Sequence, residues 1–148
     1  MSHLLLKDTF DNFSFIEGEI TTFNKFTISG FLQEDFFDEK PEETYSRWNI
    51  TRDFCFQIIR GKRTPLGFKI VLALPEDQIP YFLTAHGLTG YRPEEIRGLY
   101  LNFHYDGHHL QCITGTSLNT FTMDKSIERE WDQEVKNILK SRSIEGDY

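Results

Sequence analysis

The stretch 97–124, RGLYLNFHYDGHHLQCITGTSLNTFTMD, constrains the fold more than any other part of the chain. Leu99, Leu101, Phe103 and Tyr105 alternate with Tyr100, Asn102 and His104. A period of two marks a strand with one buried face. Asp106-Gly107 follows, and Asp-Gly readily supplies the two positive-φ positions of a type I′ turn. A two-residue turn there fixes the register. It sets Tyr105 opposite His108, His104 opposite His109, Phe103 opposite Leu110 and Leu101 opposite Cys112. The apolar residues of both strands then share one face. Gly115-Thr116-Ser117 predicts a break, after which Phe121 and Met123 predict a third strand over 119–123.

Residues 13–29, FSFIEGEITTFNKFTIS, repeat the pattern. Glu17-Gly18 takes the place of Asp106-Gly107, and NKFTIS at 24–29 matches NTFTMD at 119–124. The turns are 89 positions apart and the blocks 95, so the second copy carries six extra residues. Each copy is followed by a helical segment with one tryptophan, Trp48 or Trp131. The pattern predicts an internal duplication inside a single domain, 1–148, with pseudo-repeats of about 1–63 and 64–148.

The remaining segments fit around these units. Residues 33–46 are acidic and carry Pro41, which predicts a solvated loop held to the body by Phe36 and Phe37. Thr51 predicts the cap of a helix with the stripe Phe54, Cys55, Ile58 and Ile59, stopped at Gly61. Residues 66–74 read as a buried strand. Residues 78–86 read as a short helix, with Pro80 in its first turn and Gly87 after its end. Pro93-Glu94-Glu95 reads as one helical turn. A final helix over 125–142 carries the stripe Ile127, Trp131, Val135, Ile138 and Leu139. This order predicts an α+β fold: mostly antiparallel sheet, from two diverged hairpin-plus-strand repeats, with helices packed on one side.

Composition narrows the function classes. Hydrophobic residues make up 39% of the chain and aromatic residues 15%, which supports a packed core and argues against disorder. A net charge of −7 and a pI of about 5.2 disfavour general nucleic-acid affinity. Cys55 and Cys112 fall on apolar faces, without CxxC spacing or a secretory signal, which predicts a cytoplasmic protein. No apolar run approaches membrane-spanning length.

Two blocks are distinctive: FCFQIIRGKRTPLGFK at 54–69, and TGTSLNTFTMDKS at 114–126 with Trp131-Asp132 downstream. Together they resemble an uncharacterised bacterial family catalogued only as a domain of unknown function, over nearly the whole chain. That resemblance implies a small cytoplasmic protein and carries no activity, cofactor or catalytic residue. Members of the family begin with a further strand and helix start, so this chain is expected to be a short-start version with one sheet edge less covered. In order of elements, 66–74, 78–86, 97–114, 114–118 and 119–123 are similar to one repeat of a DNA sliding-clamp domain. The helix at 78–86 has no Lys or Arg, which departs from a surface that faces DNA phosphates.

Three local groups carry candidate chemistry. Arg60, Lys62 and Arg63 surround Gly61 at a helix end; they suit a phosphate or acidic surface, and equally complement the helix dipole. They are the expected ligand-binding residues. His104 and His109, if opposed, would bring Cβ atoms to about 5 Å, close enough to share a metal; a zinc site wants three or four ligands, and no third is evident. Ser117, within Thr114–Ser117, has no G-x-S-x-G elbow and no assignable base. No catalytic residue, metal site or cofactor is assigned. The expected function is a non-enzymatic binding module with a protein partner and no membrane association. A phosphate or nucleic-acid binder through Arg60, Lys62 and Arg63 is the alternative, and a metalloprotein centred on His104 and His109 the further one.

Overall fold

The structure is a computed structural model that describes residues 2–61, 63–144 and 146. In chain order it contains α1 (Ser2–Leu5), β1 (Ser14–Thr21), β2 (Lys25–Ser29), α2 (Trp48–Ile59), β3 (Gly67–Ala73), α3 (Ile79–Ala85), β4 (Ile96–Tyr105), β5 (Leu110–Leu118) and α4 (Ser126–Ser141). Single 3-10 turns lie at Glu34–Phe36, Glu76–Gln78 and Pro93–Glu95. The strands form one antiparallel sheet in the order β2-β1-β3-β4-β5, which makes the protein α+β. Central β3, IVLA at its end, is buried on both faces from Ile70 to Ala73. That explains why it reads as a continuous apolar run.

The chain divides into two compact units, Met1–Ala73 with Asn102–Ile113, and Leu74–Leu101 with Thr114–Tyr148. In the first, β1 pairs antiparallel with β2 and with β3. Phe15 is fully buried and its ring lies 5.6 Å from Trp48 of α2. The Trp48 indole donates to Leu4 O at 2.8 Å, which fastens α2 to the N-terminal turn. In the second unit, Trp131 of α4 is fully buried, donates to Tyr100 O of β4 at 3.0 Å, and meets Phe82 of α3 edge-on at 5.7 Å. Each tryptophan therefore buries a large ring and pairs its one polar atom.

Several expectations are corrected. Glu17-Gly18 is not a turn. It lies inside β1, where Gly18 is opposite Ile28 on one side and Ile70 on the other. A β-carbon at Gly18 would come within 3.2 Å of the Phe15 ring, so this glycine makes room for an aromatic side chain. The chain reverses later, at 22–24, between Thr21 and its partner Lys25. Gly115-Thr116-Ser117 does not break the strand; β5 runs through it to Leu118. No strand forms over 119–123, where Phe121 is 90% exposed and Met123 81%. The matched blocks 24–29 and 119–124 thus adopt different structures, a strand and a loop. The duplication loses its basis, and the order of elements compared with a clamp repeat lacks its strand at 119–123.

The helices follow their patterns with shifts. α2 begins three residues before Thr51, which is buried within it and bonds Ser46 by its hydroxyl. Its buried face is Trp48, Thr51, Cys55 and Ile59, and Phe54 points outward. α3 and α4 bury the expected Ile79, Phe82 and Leu83, and Ile127, Trp131 and Val135. Gly87, at φ +68°, ends α3 in the conformation glycine adopts most readily. Phe36 does not hold the acidic loop down; it is 86% exposed and packs edge-on to Phe37.

Candidate functional site

The expected cation cluster sits where α2 ends. Arg60 N donates to Phe56 O at 2.8 Å, closing the last turn. Arg60 and Arg63 are both exposed, and neither forms an ion pair among the described residues. Lys62 lies outside the described residues.

The β4–β5 hairpin closes one residue later than expected. Asp106 N donates to His109 O at 3.3 Å, so Gly107, at φ +97°, and His108 occupy the tip. The cause is the Asp106 carboxylate: its Oδ1 accepts from His109 N at 2.7 Å and His108 N at 2.8 Å. Such bonding is how Asp organises turns, and these two backbone donors hold its carboxyl below the usual carboxylate range. His109 is therefore opposite Asp106, not His104, and the predicted histidine pair is not formed. Among the described residues, no three His, Cys, Asp or Glu side chains are grouped to hold a metal ion. His104 instead lines an open hollow of about 350 Å³ with Glu19, Lys69 and Asp106. Glu19 is engaged there by Lys25 at 2.9 Å.

The second unit contains a more unusual feature. The loop 119–124 is fixed from both ends. Asn119 N donates to Glu95 O at 2.7 Å, its Nδ2 to Glu94 O at 2.9 Å, and its Oδ1 accepts from Arg97 Nε at 3.1 Å. Asp124 accepts from the Tyr91 hydroxyl at 2.6 Å, from Ser126 N at 3.0 Å and from Ser126 Oγ at 2.8 Å. The Tyr91 bond first, then those from Ser126, depress the Asp124 carboxyl below its ordinary value. Between these anchors Phe121 and Met123 stand in solvent. Hydrogen bonds at each end thus order a short loop that presents two large apolar side chains.

One cluster escaped the sequence reading. His86, at the C-terminus of α3, places Nδ1 2.8 Å from Glu130 and Nε2 2.7 Å from Glu134. A carboxylate only accepts, so both ring nitrogens donate and the ring is an imidazolium. Burial opposes that charge, but the bonds and charges of Glu130 and Glu134 prevail, and the His86 pKa is raised above 6.5. The available signal was the Glu130/Glu134 pair at i, i+4 on one helix, a like-charge arrangement that favours a cation between its members.

Among the described residues, these elements define an α+β protein with a five-stranded antiparallel sheet and four α-helices. The chain belongs to a family described as "Family of unknown function (DUF5721)", whose model matches residues 3–147. No curated protein and no solved structure matches the chain. Among the described residues, no helix is long and apolar enough to cross a membrane.

Proposed function

We propose that the protein is a non-enzymatic binding module that engages a protein partner through the 119–124 loop. The observation that carries this reading is the combination of Phe121 at 90% exposure and Met123 at 81% on a loop anchored at both ends. Large apolar side chains fixed in water have little to contribute to a fold. They contribute to binding, because a preorganised loop has little entropy left to lose on docking. A Phe–Met pair fits an apolar pocket on a partner. Free thiols at Cys55 and Cys112 support a reducing, cytoplasmic setting.

The test is a photo-reactive residue in place of Phe121, with Thr89, also exposed in the same unit, as control. A discrete adduct at 121 that is absent at 89, and is competed by unlabelled protein but not by Met123→Asp protein, is the expected result. Absence of an adduct, or the same adducts at both positions, refutes the reading. A second reading assigns Arg60, Lys62 and Arg63 to a phosphate or polyanion, and the exposure of Arg60 and Arg63 without ion pairs favours it. It requires polyphosphate binding that weakens steeply with salt and is lost in Arg60→Ala/Arg63→Ala protein.

A further inference from the structure

The hollow beside His104 is built on one face of three neighbouring strands, all within the unit Met1–Ala73 with Asn102–Ile113. Side chains two apart on a strand share a face. β1 contributes Glu19 and Thr21, β3 contributes Gly67 and Lys69, and the end of β4 contributes His104 and Asp106. The intervening Ile20, Phe68 and Tyr105 are buried. Thr21 lies opposite Gly67, and Glu19 opposite Lys69. Gly67 makes the hollow. A β-carbon there would come 2.7 Å from Tyr105 O, so the close approach of β3 to β4 excludes a side chain at this point. The volume of about 350 Å³ is at the small end of ligand sites, which begin at roughly 300 Å³.

The charged groups around Gly67 divide into engaged and unengaged. Glu19 is directly across from Lys69, yet it pairs with Lys25 at 2.9 Å. Among the described residues, Lys69 and His104 form no side-chain hydrogen bond or ion pair. Asp106 commits Oδ1 to the backbone N–H groups of His108 and His109, and among the described residues its Oδ2 accepts no bond. Lys69 and Asp106 therefore border one hollow without pairing. The hollow offers two nitrogen donors and one free carboxylate oxygen. Its fixed charges cancel, Glu19 against Lys25 and Asp106 against Lys69. A simple anion would be repelled by Asp106 and a simple cation by Lys69. A zwitterion answers both and adds no net charge.

We propose that this hollow binds a free α-amino acid with an apolar side chain. Its carboxylate accepts from Lys69 and His104, its ammonium donates to Asp106 Oδ2, and its α-carbon lies over Gly67. Bonds with an ionised donor or acceptor are the stronger kind, and here both ends of the ligand make them. Leu66 borders the same hollow at 70% exposure and gives the ligand's side chain an apolar surface. The site goes beyond the 119–124 loop reading, and none of its residues belongs to the unit that carries that loop.

Titration of the whole chain with L-leucine, followed by backbone-amide and imidazole NMR, tests the proposal. Isocaproate, which lacks the amino group, and isoamylamine, which lacks the carboxylate, are the comparisons. Leucine is expected to give saturable shifts at Gly67, Lys69, His104 and Asp106 below ~10 mM. Each comparison compound is expected to bind roughly tenfold or more weakly, the loss of one charge-assisted bond. Lys69→Gln and Asp106→Asn are expected to weaken leucine by a similar factor, and asparagine keeps an Oδ1 acceptor for the turn. If Asp106→Asn alters the hairpin, Lys69→Gln decides. Three results overturn the proposal: no saturable shift, a comparison compound that binds as tightly as leucine, or leucine binding that is unchanged in Lys69→Gln. Photo-crosslinking from position 121 in the Lys69→Gln background reads the loop's partner separately, so the two readings fail independently.

Discussion

Replacing Glu130 and Glu134 by Gln removes both negative charges from the acceptors of the His86 imidazolium and leaves neutral amide oxygens in their place. The magnitude follows from the geometry. Two charge-assisted hydrogen bonds are each worth roughly 1.5–3 kcal/mol when sequestered. His86 is 13% exposed, but Glu130 and Glu134 are 39% and 35% exposed, so solvent screens the pair. Discounted for that exposure, the two bonds together stabilise by about 1 kcal/mol. For a chain of this size that corresponds to a melting-temperature drop of about 2–4 °C. The sign with pH is fixed by the raised His86 pKa. The stabilisation is fully present below the unfolded value of about 6.5 and is lost as pH rises through the higher folded value. The double variant should therefore be less stable than wild type at about pH 6, above the ordinary glutamate range, and nearly equal to it at about pH 9. Imidazole proton shifts followed by NMR should place His86 above its ordinary value in the wild type. In the double variant they should place it lower, because burial is then no longer opposed by carboxylate charge. A wild-type His86 that titrates at or below 6.5, or a stability deficit of equal size at both pH values, would refute the reasoning.

Two further outcomes follow from the first unit and the cysteines. Gly30→Ala places a β-carbon 1.8 Å from Phe15 O and 2.6 Å from Phe15 C, which are backbone atoms with little freedom to yield. The expected loss, read by chemical denaturation, is ~3 kcal/mol or more. Burial pushes the Cys55 and Cys112 thiols up to about 12. At about pH 8, neither should react rapidly with a disulfide reagent in the native protein, and both should react once it is denatured.

The fold class was legible because the strongest patterns were long and periodic. The alternation at 99–105, the unbroken apolar run of β3 and the stripe of α4 each point to one face or one element, and each is found. Turn signals were less secure, because a glycine after an acidic residue has more than one use. At Asp106-Gly107 the pair does organise a reversal, through side-chain bonds that move the tip by one residue. At Glu17-Gly18 the same spacing answers to the Phe15 ring, a contact between residues three apart inside a bulged strand. Local pattern does not separate these cases, since the difference lies in whether β1 finds partners on both sides.

Sites were harder to read than elements, because a site depends on which ends meet. Nothing in the order of residues says that the end of α3 approaches the second turn of α4. His86 therefore reads as a helix terminus until Glu130 and Glu134 are placed beside it. The segment 119–124 presents the converse case. Its apolar residues at 121 and 123 have the spacing of a strand, and a strand needs a neighbour for its backbone. Here Asn119 spends its N–H and side-chain amide on Glu95 and Glu94, while Asp124 turns to Tyr91 and Ser126. Those bonds end the ladder and start the helix within six residues, leaving no backbone in register for pairing. Phe121 and Met123 then have no sheet face to enter. The same polar anchors that deny this segment a strand hold its apolar side chains where another molecule reaches them.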